Sequence, residues 1–437
     1  MWALHLDLDF CATTIIINLT ELLNRKNMKK KLLVFISSIG PGLFLVGYNI
    51  GTGSVTTMAS AGASHGMMLT WAVLISCVFT YFLIVAFGKF TIVTGKTALE
   101  SFKENFGKGV SIFVLATIVF TEMVSSIGVM SIVTDVIKEW SRPLTSSGDG
   151  FNTIILALLL GSIMVFTLLN GKYSLIEKIL TLFVTLMGIS FLLTSFMVIP
   201  DAASIISGLI PNIPQDANAS LIVTGMIGTT MGGVLYVVRS VTVKQKNWSI
   251  EDLKFERRDA LISSGLMFVL SIAVMASAAG TLYPKGLHIE NAIDMIRLLE
   301  PLAGRFAISV FVAGIVCAGL SSLYPHYMLV PLLLADYNNE KLDFKKWRNR
   351  LIVIFYASLG MVVPIFGGRP VLVMIASQAF TLVITPIIII LMLILINKKS
   401  IMGEYKVSTA MNIVLGIIFI FSVIMSGVGA VSLVELF

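Results

Sequence analysis

Charge is scarce in this chain: 13% of its 437 residues are Asp, Glu, Lys or Arg, and only four are histidine. Soluble domains carry charge on roughly a quarter of their residues, so an ordinary soluble fold is excluded. Cysteine is scarcer still. Cys11, Cys77 and Cys317 stand far apart, with no CxxC and no Cys/His cluster. That excludes a disulfide framework and a zinc site, and leaves each thiol as a small buried hydrophobe. Catalytic signatures are missing too. No HExxH, Ser/His dyad or aspartate pair falls in an apolar stretch, so neither an enzyme nor a bound cofactor is expected.

Apolar residues supply 57% of the chain, with a mean hydropathy of +0.94. They gather into eleven runs long enough to cross a bilayer, at about 32–64, 69–91, 108–137, 152–170, 176–198, 220–242, 258–282, 303–334, 349–366, 370–396 and 409–434. The expected fold is an all-α polytopic membrane protein with the lipid bilayer as its solvent. The net charge of +7 then records loops rather than a nucleic-acid partner. Of the 31 lysines and arginines, six lie in alternate loops (Lys138, Arg142, Lys285, Arg297, Arg305, Arg369), Arg239 lies inside span 6, and the other 24 lie on the opposite side. This asymmetry predicts a plasma (inner) membrane protein with a cytoplasmic N-terminus and an outside C-terminus.

Residues 1–31 form an expected cytoplasmic tail. Asp7 and Asp9 stand where a secretion signal needs positive charge, so no cleaved signal is expected. "MKKKLLVF" from Met28 resembles a start, which marks 1–27 as an upstream extension.

Span 1 contains "YNIGTGSVTT", with Gly51 and Gly53 amid polar residues, and span 6 contains "GTTMGGVLYVVRS", with Gly232 and Gly233 adjacent. If spans 1–5 (about 32–198) and 6–10 (about 220–396) are structural repeats, an odd number of helices per repeat inverts the second. The run at 409–434 is then an extra helix. Glycine-interrupted helices at equivalent positions point to a midplane substrate site. Close helix packing is the competing explanation for glycines in either helix alone. At a break, carbonyl ends favour a cation and amide ends an anion. Asn49, Thr52, Ser54, Thr229 and Gln378 add neutral donors and acceptors, although a hydroxyl commonly bonds its own helix instead. Glu122 lies midway along span 3, at the depth of the bilayer centre, where carboxylates are functional by default. Withdrawn from water there, it suits carrying a proton near neutral pH. Arg239 either pairs with Glu122 across the cavity or snorkels to the inner surface. His326, beside Pro325, reads as an interhelical hydrogen-bonder, and His65 as an incidental outer-loop residue.

Together these segments resemble the Nramp family of proton-coupled divalent-metal transporters, whose inverted-repeat fold is shared with sodium–amino-acid symporters. The resemblance runs from about residue 33 to near the end. It is carried by "GPGLFLVGYNIGTGS", "GKFTIVTGKTALESFKENFG", "GMIGTTMGGVLYVVRS", "AIDMIRLLEPLAGRFA", "SQAFTLVITP" and "KKSIMGEY". It implies a symport-type secondary transporter with discontinuous helices 1 and 6. Gln378 matches a helix 10 glutamine of the family's metal site, and Glu122 an acid of its proton route; Ser125 replaces a second acid. The family's Asp-Pro-Gly-Asn reads Gly51-Thr52-Gly53-Ser54 here, and its Met-Pro-His reads Gly232-Gly233-Val234. The acidic, amide and thioether ligands of those motifs are thus absent, and the metal-ligand set is unknown. The expected substrate is a small ion: a hard, partly hydrated cation such as Mg²⁺ or Mn²⁺, with protons as the coupling ion. A small organic or zwitterionic solute, or a sensor that does not transport, is the alternative.

Overall fold

The computed structural model describes residues 40–170, 173–197, 202–216, 218–289, 294 and 300–435. The tail 1–31, the first span before Gly40 and most of the loop 290–299 lie outside the described residues. Every regular element among them is helical.

The first span is two half-helices, α1 (Gly40–Asn49) and α2 (Thr52–His65), followed by α3 (Thr70–Thr94) and a short α4 (Ala98–Phe106). Next come α5 (Lys108–Ser141), α6 (Thr153–Asn170), α7 (Tyr173–Met197) and a connecting turn of helix, α8 (Ala202–Ser207). The sixth span is again divided, into α9 (Ala219–Met231) and α10 (Gly233–Lys246), and leads to α11 (Leu253–Thr281) and α12 (Glu300–Tyr337). The expected ninth span ends early as α13 (Trp347–Leu359), with α14 (Val362–Phe366) completing it. The long α15 (Pro370–Asn397), the short α16 (Lys399–Met402) and α17 (Thr409–Val434) finish the described chain. Ten segments among the described residues are long and apolar enough to cross a membrane. The remaining expected span, 32–64, is described only from Gly40 onward.

Burial separates the centre of the bundle from its rim. The apolar window of Ala219–Lys246 is buried throughout, whereas those of Thr153–Asn170 and Thr409–Val434 are 22% and 28% buried. The rim helices turn Phe166, Ile155, Ile417 and Ile424 outward, the surface that lipid solvates. The broken sixth span is thus the most enclosed element.

The link between α3 and α5 has clear local causes. α3 stops at Gly95, whose φ of 68° is left-handed and cheap only for glycine. Thr97 then caps α4: its hydroxyl accepts from the Glu100 amide and the Glu100 carboxylate accepts from the Thr97 amide. Around this cap, α4 bridges two neighbours. It meets α10 through Ala98 N–H to Ser240 Oγ (3.0 Å) and Lys244 to Glu100 (2.7 Å). It meets α12 through Thr97 Oγ1 to Asp336 (2.7 Å) and Lys103 to the Tyr337 carbonyl (3.0 Å).

A polar cavity between two broken helices

Each break is short. Ile50 and Gly51 separate α1 from α2, with Gly51 extended at φ −92° and ψ −170°. Gly232 alone separates α9 from α10, extended at φ −62° and ψ 136°. Thr52, Gly53 and Ser54, expected within the unwound segment, instead form the first turn of α2. The side chain at residue 51 has no room: a Cβ there would lie 2.4 Å from Ser322 Cβ and Oγ on α12.

The backbone groups freed by the breaks find named partners. Asn49 Nδ2 donates to the carbonyls of Thr229 (2.7 Å) and Thr230 (3.3 Å), the open C-terminal end of α9. Thr80 Oγ1 donates to the Thr230 carbonyl as well (2.9 Å). At the start of α10, the Gly233 amide donates to Thr385 Oγ1 on α15 (2.8 Å). Asn49 therefore staples the two breaks together, and only its NH₂ can face those carbonyls. Its Oδ1 is left buried without a hydrogen-bond partner in the protein.

A cavity of about 30 Å³ lies where the breaks meet. Six expected site residues line it: Asn49, Gly51, Ser54, Thr229, Gly232 and Gln378. Two do not. Thr52 is buried with its methyl toward Gly319, and Gly233 packs on Ile388 and Thr385. The wall is completed by Tyr48, Ser125, Ser322, His326, Met374 and Thr381, among others, and it includes no carboxylate. Among the described residues, no group of three or more His, Cys, Asp or Glu could hold a metal ion. Of the hydroxyls, those of Thr57 and Thr230 do bond their own helices, to Gly53 and Met226. The Ser54 and Thr52 hydroxyls are buried without a partner.

Sequence reasoning overlooked Met374. It stands one turn before Gln378 on α15, the same-face spacing that could have revealed it.

Glu122 is fully buried on α5 and bonded through both oxygens. Tyr48 Oη donates to Oε1 at 2.6 Å, and the imidazole Nδ1 of His326 is hydrogen-bonded to Oε2. Tyr48 and His326 also line the cavity, so the carboxyl sits directly behind its wall. His326 is thus the interhelical hydrogen-bonder its setting suggested, and its partner is the one acid singled out for proton carriage. Pro325, just before it, has no N–H to give the Ser321 carbonyl, which frees a main-chain oxygen in that turn of α12.

Arg239 corrects both expectations held for it. It neither meets Glu122 nor reaches the surface, but is fully buried and paired with Asp259 and Glu256 (3.1 Å) on α11, themselves at most 1% exposed. Glu256 fits there because Gly88 on α3 lacks a side chain: a Cβ would come 2.2 Å from Oε1. Glu122 is therefore not the only deeply buried acid: Glu256 and Asp259, around the start of the expected span 258–282, are buried as well. His65 is not a loop residue. It ends α2, is buried, and approaches Asp216 at 3.6 Å.

Two broken helices crossing at a polar cavity inside a helical bundle define a secondary transporter of the inverted-repeat class. Four solved structures of a manganese transporter from Eremococcus coleocola have this fold; with an aromatic bis-isothiourea-substituted compound bound, one superposes with a TM-score of 0.69 at 15% identity, covering 90% of this chain and 85% of that one. A Na⁺-coupled sialic acid symporter matches with a TM-score of 0.61 at 11% identity over 90% of this chain and 89% of that one. The chain belongs to the Nramp family: the family model described as natural resistance-associated macrophage protein-like matches residues 42–432. Among relatives, the divalent metal cation transporter MntH of Caldanaerobacter subterraneus is 24% identical over 398 residues, 88% of this chain and 90% of that protein. The natural resistance-associated macrophage protein 2 homolog of Dictyostelium discoideum is 24% identical over 402 residues, 88% of this chain and 62% of that protein's length. Membership makes the chain an integral membrane transporter and not an enzyme.

Proposed function

We propose that this protein moves a divalent metal cation across the plasma membrane, stripping part of its water and holding it in a cage of neutral oxygens. One observation carries the reading: Asn49 Oδ1 and Ser54 Oγ belong to cavity-lining residues and are buried without a partner. A buried acceptor left open is costly, by about 1–3 kcal/mol each, unless a ligand satisfies it. The two oxygens, with the Gln378 side chain beside them, suit a cation better than an anion. A cavity of about 30 Å³ holds two or three water-sized bodies, since one needs roughly 10–15 Å³. An ion with a complete hydration shell does not fit, and an ion keeping one or two waters does. That the relatives in the family are named divalent metal cation transporters supports the same choice.

In this reading protons are the coupling ion, held by Glu122 and passed between it and His326 behind the cavity wall. The repeats run over about 32–198 and 220–396, and the N-terminus lies in the cytoplasm. Purified protein in liposomes, offered Mg²⁺, Mn²⁺, Ca²⁺ and Zn²⁺ with a pH dye inside, tests it. Uptake above empty vesicles is expected for Mg²⁺ or Mn²⁺, with a pH change inside. Silence for every cation from folded protein would transfer the reading to a small organic solute.

A further inference from the structure

The family's soft ligand is missing from the sixth span, where Gly232 stands in its place, yet a thioether still borders the cavity. Met374 reaches it from α15, 1% exposed, one helical turn from Gln378. Its surroundings are shaped to it. A Cβ on Gly128 of α5 would lie 2.2 Å from the Met374 sulfur and 2.7 Å from its Cγ. A Cβ on Gly53 of α2 would lie 2.7 Å from its methyl carbon and 2.5 Å from Gln378 Nε2. Two glycines on two other helices thus form the notch that a single side chain occupies. Gly128 is mid-helix, where glycine is less favourable than alanine by roughly 0.5–1 kcal/mol. Ser125 and Val129, its neighbours on α5, line the cavity, so the notch opens at the wall and not in remote packing.

We propose that Met374 is a specificity-determining residue: its thioether gives the neutral oxygen cage one soft face and biases it toward softer divalent cations. The argument rests on the metal-cation reading above. Thioether sulfur is polarizable and weakly basic. It adds little for Mg²⁺ or Ca²⁺, which take oxygen, and more for Mn²⁺ and most for Cd²⁺. With no carboxylate in the wall, the other donor there that separates hard from soft ions is the His326 imidazole, whose Nδ1 is already engaged by Glu122. The soft donor of this site therefore comes from the tenth span and not the sixth.

The test is the ratio of Cd²⁺ to Mg²⁺ uptake, and of Mn²⁺ to Mg²⁺ uptake, in proteoliposomes of wild type and Met374→Leu. Leucine keeps the volume and removes the sulfur. The Cd²⁺-to-Mg²⁺ ratio is expected to fall on the order of tenfold, the scale on which single changes around a metal site act. The Mn²⁺ ratio should fall less. Gly128→Ala is the second variant: it displaces the sulfur without altering α15 and should lower the same ratio even if Met374→Leu folds poorly. An unchanged ratio in folded protein of either variant overturns the role of Met374 while leaving metal transport intact. Wild type that carries no cation at all overturns the metal reading, and this proposal with it.

Discussion

Glu122 of α5, buried behind the cavity wall, and His326 of α12, which lines it, are hydrogen-bonded to each other although 204 residues apart in the chain. The carboxyl's other oxygen accepts from Tyr48 on α1, which connects the acid to the half-helix that ends at the break. Tyr356 Oη, on α13, is engaged by the Val119 carbonyl and does not compete for the acid. A proton on this pair is therefore felt on one side by the imidazole and on the other by Tyr48, at the end of α1.

Glu122→Gln keeps the shape and one hydrogen-bond acceptor while removing the ionisation. With the pair carrying the coupling proton, uptake by wild type should vary with pH and the variant's profile should be flat. His326→Gln should flatten it as well, because either change leaves one half of the pair. A Glu122→Gln profile that tracks wild type would remove the pair from proton coupling.

Restoring the family's acid by Gly51→Asp looks from sequence alone like a gain of metal affinity. The structure reverses the expectation, because any Cβ at residue 51 meets Ser322 at 2.4 Å. Overpacking of that kind costs typically about 1–3 kcal/mol. Gly51→Asp alone should therefore lower the melting temperature without gaining Mn²⁺ affinity in calorimetry. Gly51→Asp with Ser322→Gly should recover stability and bind Mn²⁺ more tightly than wild type. Equal binding by the double variant and wild type would show that the pocket no longer places an acid against the ion.

Much of this was legible because lipid imposes simple rules. Span positions follow from hydropathy, and the sixth-span break from Gly232, since one residue of extended backbone is enough to divide that helix. Six of eight expected cavity residues line it for the same reason: breaks expose whatever surrounds them. What stayed hidden depends on long-range packing. Nothing local says that Arg239 finds two acids on α11, or that His326 finds Glu122. Met374 was hidden differently, since methionine in an apolar helix looks like core until the glycines opposite it are placed.

The Arg239 cluster leads to a stability prediction. A guanidinium withdrawn from water and held by two carboxylates loses little if all partners go, but much if one is left alone. Arg239→Met should destabilise the protein by about 3–5 kcal/mol, read as earlier thermal unfolding in detergent. Adding Glu256→Gln and Asp259→Asn should restore a large part of that loss. A single variant as stable as wild type would mean that the acids find another partner, such as the Trp248 side, where the indole now lies 5.7 Å from the Arg239 guanidinium carbon.

Orientation can be measured directly, and the charge asymmetry of the loops fixes the expected result. The described native thiols, Cys77 and Cys317, are buried, so a cysteine-free background is a modest change. On it, Ser146→Cys lies in the exposed loop after α5, and Lys345→Cys in the exposed loop after α12. The loop after α12 and α10's C-terminal end belong to the lysine- and arginine-rich side, the side retained in the cytoplasm. A membrane-impermeant maleimide added to intact cells should therefore label Ser146→Cys at once and Lys345→Cys only after permeabilisation. The opposite pattern would place the N-terminus outside. It would also place the start of α1 on the exterior side and the end of α2 on the cytoplasmic side.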